Sequence, residues 1–194
     1  RASDSGVKVG PKAANLGQLS HYFPDRVSPG FVIPFGIYRE HISNAKDAAG
    51  VSIEDLILEA FDRAEQLRAE GANPAVLQAE VYPRLAQIRE RIQRIPLDEA
   101  LAAEIARKVR DDLDAGVPGK PGVFIRSDTN AEDLPGFTGA GLNLTVPNQV
   151  GIANILQSIK NVWASPFTER AFEWRTRVFS GAHRVYPSVI VMRS

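Results

Sequence analysis

The 194-residue chain is long enough to bury one sizeable core, and its 44% apolar and 24% charged residues fit a folded globular chain rather than a coiled coil or a disordered one. Twenty-three basic residues balance twenty-three acidic ones. That balance removes the bulk attraction a nucleic-acid or anionic-membrane partner would need, so any bound anion must be held locally. With no cysteine there is no disulfide, no thiolate metal site and no cysteine nucleophile, as suits a reducing, cytoplasmic setting.

Residues 1 to 10 lack the apolar stretch of a signal peptide. The longest uncharged stretch, 134 to 159, carries two prolines, four glycines, three asparagines and two glutamines, which excludes a bilayer span. The chain opens without methionine and closes inside the apolar run Val189-Ile190-Val191-Met192, and the expectation is that both ends continue into a longer polypeptide.

In chain order, Ala13, Leu16, Leu19 and Phe23 recur at helical spacing until Pro24 stops them, and Gly30-Phe31-Val32-Ile33 reads as a buried strand closed by Pro34. A short helix follows through Tyr38 and Ile42. Residues 51 to 115 read as three amphipathic helices. Ser52 caps the first, whose stripe runs Ile53, Ile57, Phe61 and Ala64; Leu77, Val81, Leu85, Ile88 and Ile92 mark the second; Leu97, Leu101, Ile105 and Val109 mark the third. Their charged residues, Arg89 and Arg91 among them, are expected on solvated faces. A glycine- and proline-rich turn at 116 to 122 precedes the strand Val123-Phe124-Ile125. Leu142, Leu144 and Val146 alternate as a further strand, Ile152 to Trp163 as a helix, and Ser165-Pro166 is expected to cap a last helix through Trp174. Tyr186 to Arg193 reads as a final strand. The order is α+β, with 51–115 forming a helical lobe inserted between the flanking segments 1–50 and 116–194.

Three features carry potential chemistry. Arg126 directly follows the strand Val123-Phe124-Ile125, a place where open sheets present ligand groups, and its guanidinium suits either a bidentate grip on phosphate or an ion pair with Asp128, Glu132 or Asp133 that holds the following loop. Pro135-Gly136-Phe137-Thr138-Gly139-Ala140-Gly141 has glycines that let backbone amides and the Thr138 hydroxyl approach an anion, or serve as a plain turn. Lys12, at the start of the first helix, reaches either a phosphate or solvent. His21, His41 and His183 have no metal-ligand spacing. Trp163 and Trp174 are expected in the core, and Arg170, Arg175, Arg177 and Arg184 on a carboxylate-paired surface with Glu169 and Glu173.

Five ordered segments together resemble the N-terminal nucleotide-binding domain of the phosphoenolpyruvate synthase and pyruvate phosphate dikinase family, which includes the glucan, water dikinases. They are Gly10-Pro11-Lys12-Ala13-Ala14-Asn15-Leu16-Gly17; Ser28-Pro29-Gly30-Phe31-Val32-Ile33; Ile125-Arg126-Ser127 with Glu132-Asp133-Leu134-Pro135-Gly136; Ala140-Gly141; and Val162-Trp163-Ala164-Ser165 with Arg170-Ala171. The resemblance implies an incomplete ATP-grasp fold. It implies that Lys12 contacts ATP phosphates, that Arg126 stabilises the transferring phosphoryl group, and that Thr138, Gly139, Ala140 and Gly141 form the loop over the nucleotide. It further implies cleavage of ATP to AMP and phosphate, with the β-phosphoryl passing through a histidine on a separate domain to pyruvate or a similar acceptor. The Mg2+ ligands, the phosphohistidine domain and the acceptor-binding domain are expected in parts of the polypeptide beyond this chain, so the fragment alone is expected to be inactive. A glucan acceptor, or a non-catalytic nucleotide-binding module, are the alternatives.

Two positions depart from the family pattern. Pro11 stands where a second glycine is common, and Asp128 where a serine is usual. A carboxylate beside phosphates would repel them unless it pairs with Arg126 or faces away.

Overall fold

The computed structural model describes residues 2–131, 144–178 and 181–194. Helix α1 (Pro11–Tyr22) begins with proline in its first turn, where the missing amide hydrogen costs nothing. Strand β1 (Gly30–Ile33) and helix α2 (Phe35–Asn44) follow. Helix α3 (Ile53–Ala69) starts in a reciprocal capping box: the Ser52 hydroxyl accepts from the Asp55 amide, and the Asp55 carboxylate accepts from the Ser52 amide. Helices α4 (Pro74–Arg94) and α5 (Glu99–Arg107) are capped by Asn73 and Asp98. Strands β2 (Val123–Thr129) and β3 (Thr145–Gln149), helices α6 (Ile152–Ala164) and α7 (Glu169–Val178), and strand β4 (Pro187–Arg193) complete the described strands and α-helices.

The four strands form one sheet in the order β1-β4-β2-β3, with every pair antiparallel. Because side chains alternate along a strand, β2 and β4 present two different faces. Val123, Ile125, Val189 and Val191 are fully buried in the core that α6 and the α3–α4 pair share with the sheet. That core is continuous, joining Phe61, Leu85, Ile88 and Trp163 to the strand residues. The opposite face carries Phe124, Arg126, Asp128, Ser188, Ile190 and Met192, and α1 covers part of it.

Several expectations are corrected. Arg126 does not lie past the end of a strand: β2 continues through Ser127 and Asp128 to Thr129, because β4 supplies a partner for each of those residues in turn. Ser165 is not the cap of α7. Its hydroxyl donates back to the Val162 carbonyl, residues 165–167 form a separate tight turn, and Thr168 caps α7 by accepting from the Ala171 amide at 3.3 Å. Trp163 is fully buried, whereas Trp174 is 52% exposed. Arg89 and Arg91 are not simply solvated: Arg89 donates to the Phe167 carbonyl and pairs with Glu169, and Arg91 binds the Ala45 and Val51 carbonyls and pairs with Asp47. β3 begins at Thr145, and Leu142 lies outside the described residues.

Candidate nucleotide site at the first helix

The N-terminus of α1 meets β2 and β4 at a small buried polar cluster. Asp128 is fully buried, and its two carboxylate oxygens accept from the Lys12 amide at 3.0 Å and the Ala13 amide at 2.9 Å. These are amides that the first turn of a helix leaves without intrahelical partners, and the positive end of the helix dipole favours a carboxylate there. Ser188, directly opposite Asp128 in the β2–β4 register, donates its hydroxyl to the Asp128 carbonyl at 2.8 Å and accepts from the Gly10 amide at 3.2 Å. The backbone of Gly10 passes so close that a Cβ there would fall 2.3 Å from Asp128 Oδ1, so the approach requires glycine.

Two effects oppose each other on the Asp128 carboxyl. Burial raises its pKa, while the Ala13 and Lys12 amides and the charge of Lys12 hold it down; burial prevails. Asp128 therefore neither pairs with Arg126 nor projects into solvent. It turns into the helix terminus.

Arg126 lies two residues earlier on the same face of β2, about 7 Å from Asp128 along the strand, with Thr145 and Ile190 as its cross-strand neighbours. It is half-buried, and its guanidinium forms no hydrogen bond or ion pair with any described residue. The structure thus brings Lys12 and Arg126, separated by most of the chain, to one side of the sheet. Such a pair of cations, one a flexible point charge and one a planar fork, suits an anion with several oxygens. Thr138, Gly139, Ala140 and Gly141, together with Glu132 and Asp133, lie outside the described residues.

Residues 7–194 match the family described as pyruvate phosphate dikinase, AMP/ATP-binding domain. The chain belongs to this family. Within it, rifampicin phosphotransferase of Streptomyces sviceus is 31% identical over 185 residues, covering 95% of this chain and 19% of that protein. A probable phosphoenolpyruvate synthase of Pyrococcus horikoshii is 26% identical, covering 95% of this chain and 24% of its own length. Rifampicin phosphotransferase of Bacillus subtilis is 28% identical, with 19% of its length covered. This dikinase-type ATP-binding domain therefore spans a fifth to a quarter of the length of these relatives.

Among the described residues of the domain, no three His, Asp or Glu side chains are grouped so as to hold a metal ion, and no helix is long and apolar enough to cross a membrane. Sequence reasoning on this dikinase-type domain singled out Lys12, Arg126 and Asp128 but missed Ser188. The available signal was a lone hydroxyl inside the apolar run Pro187-Ser188-Val189-Ile190, since a polar residue in a buried strand must find a partner.

Proposed function

We propose that this chain is the first part of an ATP-grasp domain that binds Mg2+-ATP for a dikinase. In this reading ATP is cleaved to AMP and phosphate, and the β-phosphoryl passes to a histidine on another domain of the same polypeptide and then to an acceptor. The observation that carries the reading is the placement of Lys12 and Arg126 on one face of the sheet, with the Arg126 guanidinium unpaired among the described residues. Phosphoryl transfer asks little covalent chemistry of a protein and much electrostatic positioning, and preorganised cations supply it. Arg126 is assigned the oxygens of the transferring group, Lys12 a neighbouring phosphate, and Thr138 to Gly141 the loop over the nucleotide. Mg2+ would neutralise charge between the phosphates, and its ligands are assigned to parts of the polypeptide beyond this chain.

The acceptor is assigned by class only. Pyruvate suits the likeness to phosphoenolpyruvate synthases, and rifampicin suits the likeness to rifampicin phosphotransferases. A glucan is a third candidate. A non-catalytic nucleotide-binding module is the competing reading, and one observation favours it: the helix-terminal amides that would otherwise receive a phosphate are already taken by Asp128.

Titration of the full-length protein with Mg2+-ATP, read by thermal unfolding, separates these readings. Ligand at a hundredfold its dissociation constant stabilises the folded state by about 2.7 kcal/mol. The expected outcome is a shift that both Lys12→Ala and Arg126→Ala reduce strongly, with AMP formed only by the unsubstituted protein. A shift without AMP formation under any of the three acceptors supports the non-catalytic module, and no shift at all sinks the nucleotide assignment.

A further inference from the structure

We infer that Asp128 is a positioning residue for the nucleotide site, acting as an internal anion that latches α1 to the sheet and so places Lys12 beside Arg126. The inference rests on the nucleotide reading above and adds a residue to it.

Helix α1 is weakly held by apolar contact. Of its twelve residues only Ala13 and Ala14 are buried, and both are too small to contribute much burial energy. Leu19, Tyr22 and the following Phe23 are 47%, 65% and 56% exposed, so the C-terminal half of the helix adds little packing. The continuous core of the sheet and the other helices contains no α1 residue.

Among the described residues, the strongest tie of α1 to the sheet is polar and lies at its first turn. The Asp128 carboxylate takes two amides of the helix, the Ser188 hydroxyl ties the Gly10 amide to the Asp128 carbonyl, and Gly10 closes against the carboxylate with no room for a side chain. Hydrogen bonds to an ionised acceptor are the strong kind, and those inside a dry site are stronger still. A buried carboxylate is costly to ionise, and here the two amides and the helix dipole offset part of that cost. Removal of the carboxylate therefore releases a local unit, with the main core left intact.

Because Lys12 is one of the two residues whose amides are gripped, its Cα is fixed relative to β2, and with it the base of the side chain assigned to the phosphates. The amides themselves are spent on Asp128. Phosphate recognition at this end of the site then falls to the Lys12 and Arg126 side chains, not to the helix terminus.

Hydrogen exchange of residues 11–22 together with ATP affinity tests this in the full-length protein. Asp128→Asn keeps the shape but lacks the second acceptor oxygen and the charge. The expected result is at least tenfold faster exchange across α1, a roughly tenfold weaker ATP dissociation constant, and unchanged exchange in α4 and α6. Ser188→Ala, which leaves the carboxylate in place, is expected to give a smaller effect of the same kind, and it serves if Asp128→Asn does not fold. Unchanged α1 exchange in both variants overturns the latch. Faster α1 exchange with unaltered ATP affinity overturns its role in placing Lys12, because a merely structural latch would give that result. Absence of ATP binding by the unsubstituted protein overturns the nucleotide reading instead, and the exchange of the unliganded variants then still decides whether the latch exists.

Discussion

The guanidinium carbon of Arg175 lies 4.6 Å from the centre of the Phe61 ring and 5.1 Å from that of Phe167, fully enclosed, with none of its three nitrogens hydrogen-bonded to a described residue. Its residue is only 3% exposed. Burial pushes its pKa down to about 9, with the nearby Tyr38 acting weakly in the other direction. The side chain is therefore still charged at neutral pH, held by two ring faces in place of a carboxylate.

A charge buried without hydrogen-bond partners costs more than ring contacts return. Arg175→Met, which fills similar space without the charge, is expected to raise stability by about 1–4 kcal/mol, read as a higher urea midpoint with unchanged slope. Arg175→Ala should instead lower it by leaving a void between the rings. A loss of stability in the methionine variant would mean that the cation–ring contacts outweigh the desolvation cost.

Two glycines near the start of the chain make a paired test. Gly10→Ala would force a methyl into the Asp128 carboxylate at 2.3 Å, and a cost of about 1–3 kcal/mol is expected. At Gly17, inside the same helix, an added methyl would meet no described neighbour within 4 Å, and Gly17→Ala should gain about 0.5–1 kcal/mol of helix stability. Circular dichroism melts of the two variants should therefore move in opposite directions.

His41 sets an acid-side limit. Its ring lies 5.2 Å from that of Trp163, and burial, reinforced by Lys160, lowers its pKa below the ordinary 6.5. The unfolded chain thus takes up a proton before the folded one does. The stability this group contributes is complete above about pH 6.5 and is lost as pH falls from there toward the lowered folded-state value. Urea midpoints measured at about pH 7.5 and 5.5 should fall for the unsubstituted protein, and His41→Gln should flatten the difference. An equal drop in both proteins would assign the acid sensitivity to other groups.

Local signals explain why most elements were legible. Ser52 as a cap and stripes such as Leu77, Val81, Leu85, Ile88 and Ile92 act within one or two helical turns, and each gave the helix expected of it. Where expectation failed, a distant partner had overridden the local pattern. Arg126, Ser127, Asp128 and Thr129 read as the start of a loop because they are polar, yet β4 pairs with each of them and draws them into the sheet. On α7 the buried face runs through Ala171, Phe172 and Arg175, and so excludes Trp174, since the Phe61 and Phe167 rings receive a guanidinium there. No one-dimensional pattern ranks an arginine above a tryptophan for burial.

Most helices and the strand cores were written in the sequence alone, because capping and periodicity are properties of neighbours along the chain. The tertiary structure alone decided what Asp128 does. Its partners on α1 lie 116 and 115 residues away, and the pairing of β2 with β4 brings Ser188 against it across another 60. Whether a carboxylate repels a ligand or anchors a helix depends on which amides surround it, and those amides are assembled only when the sheet closes.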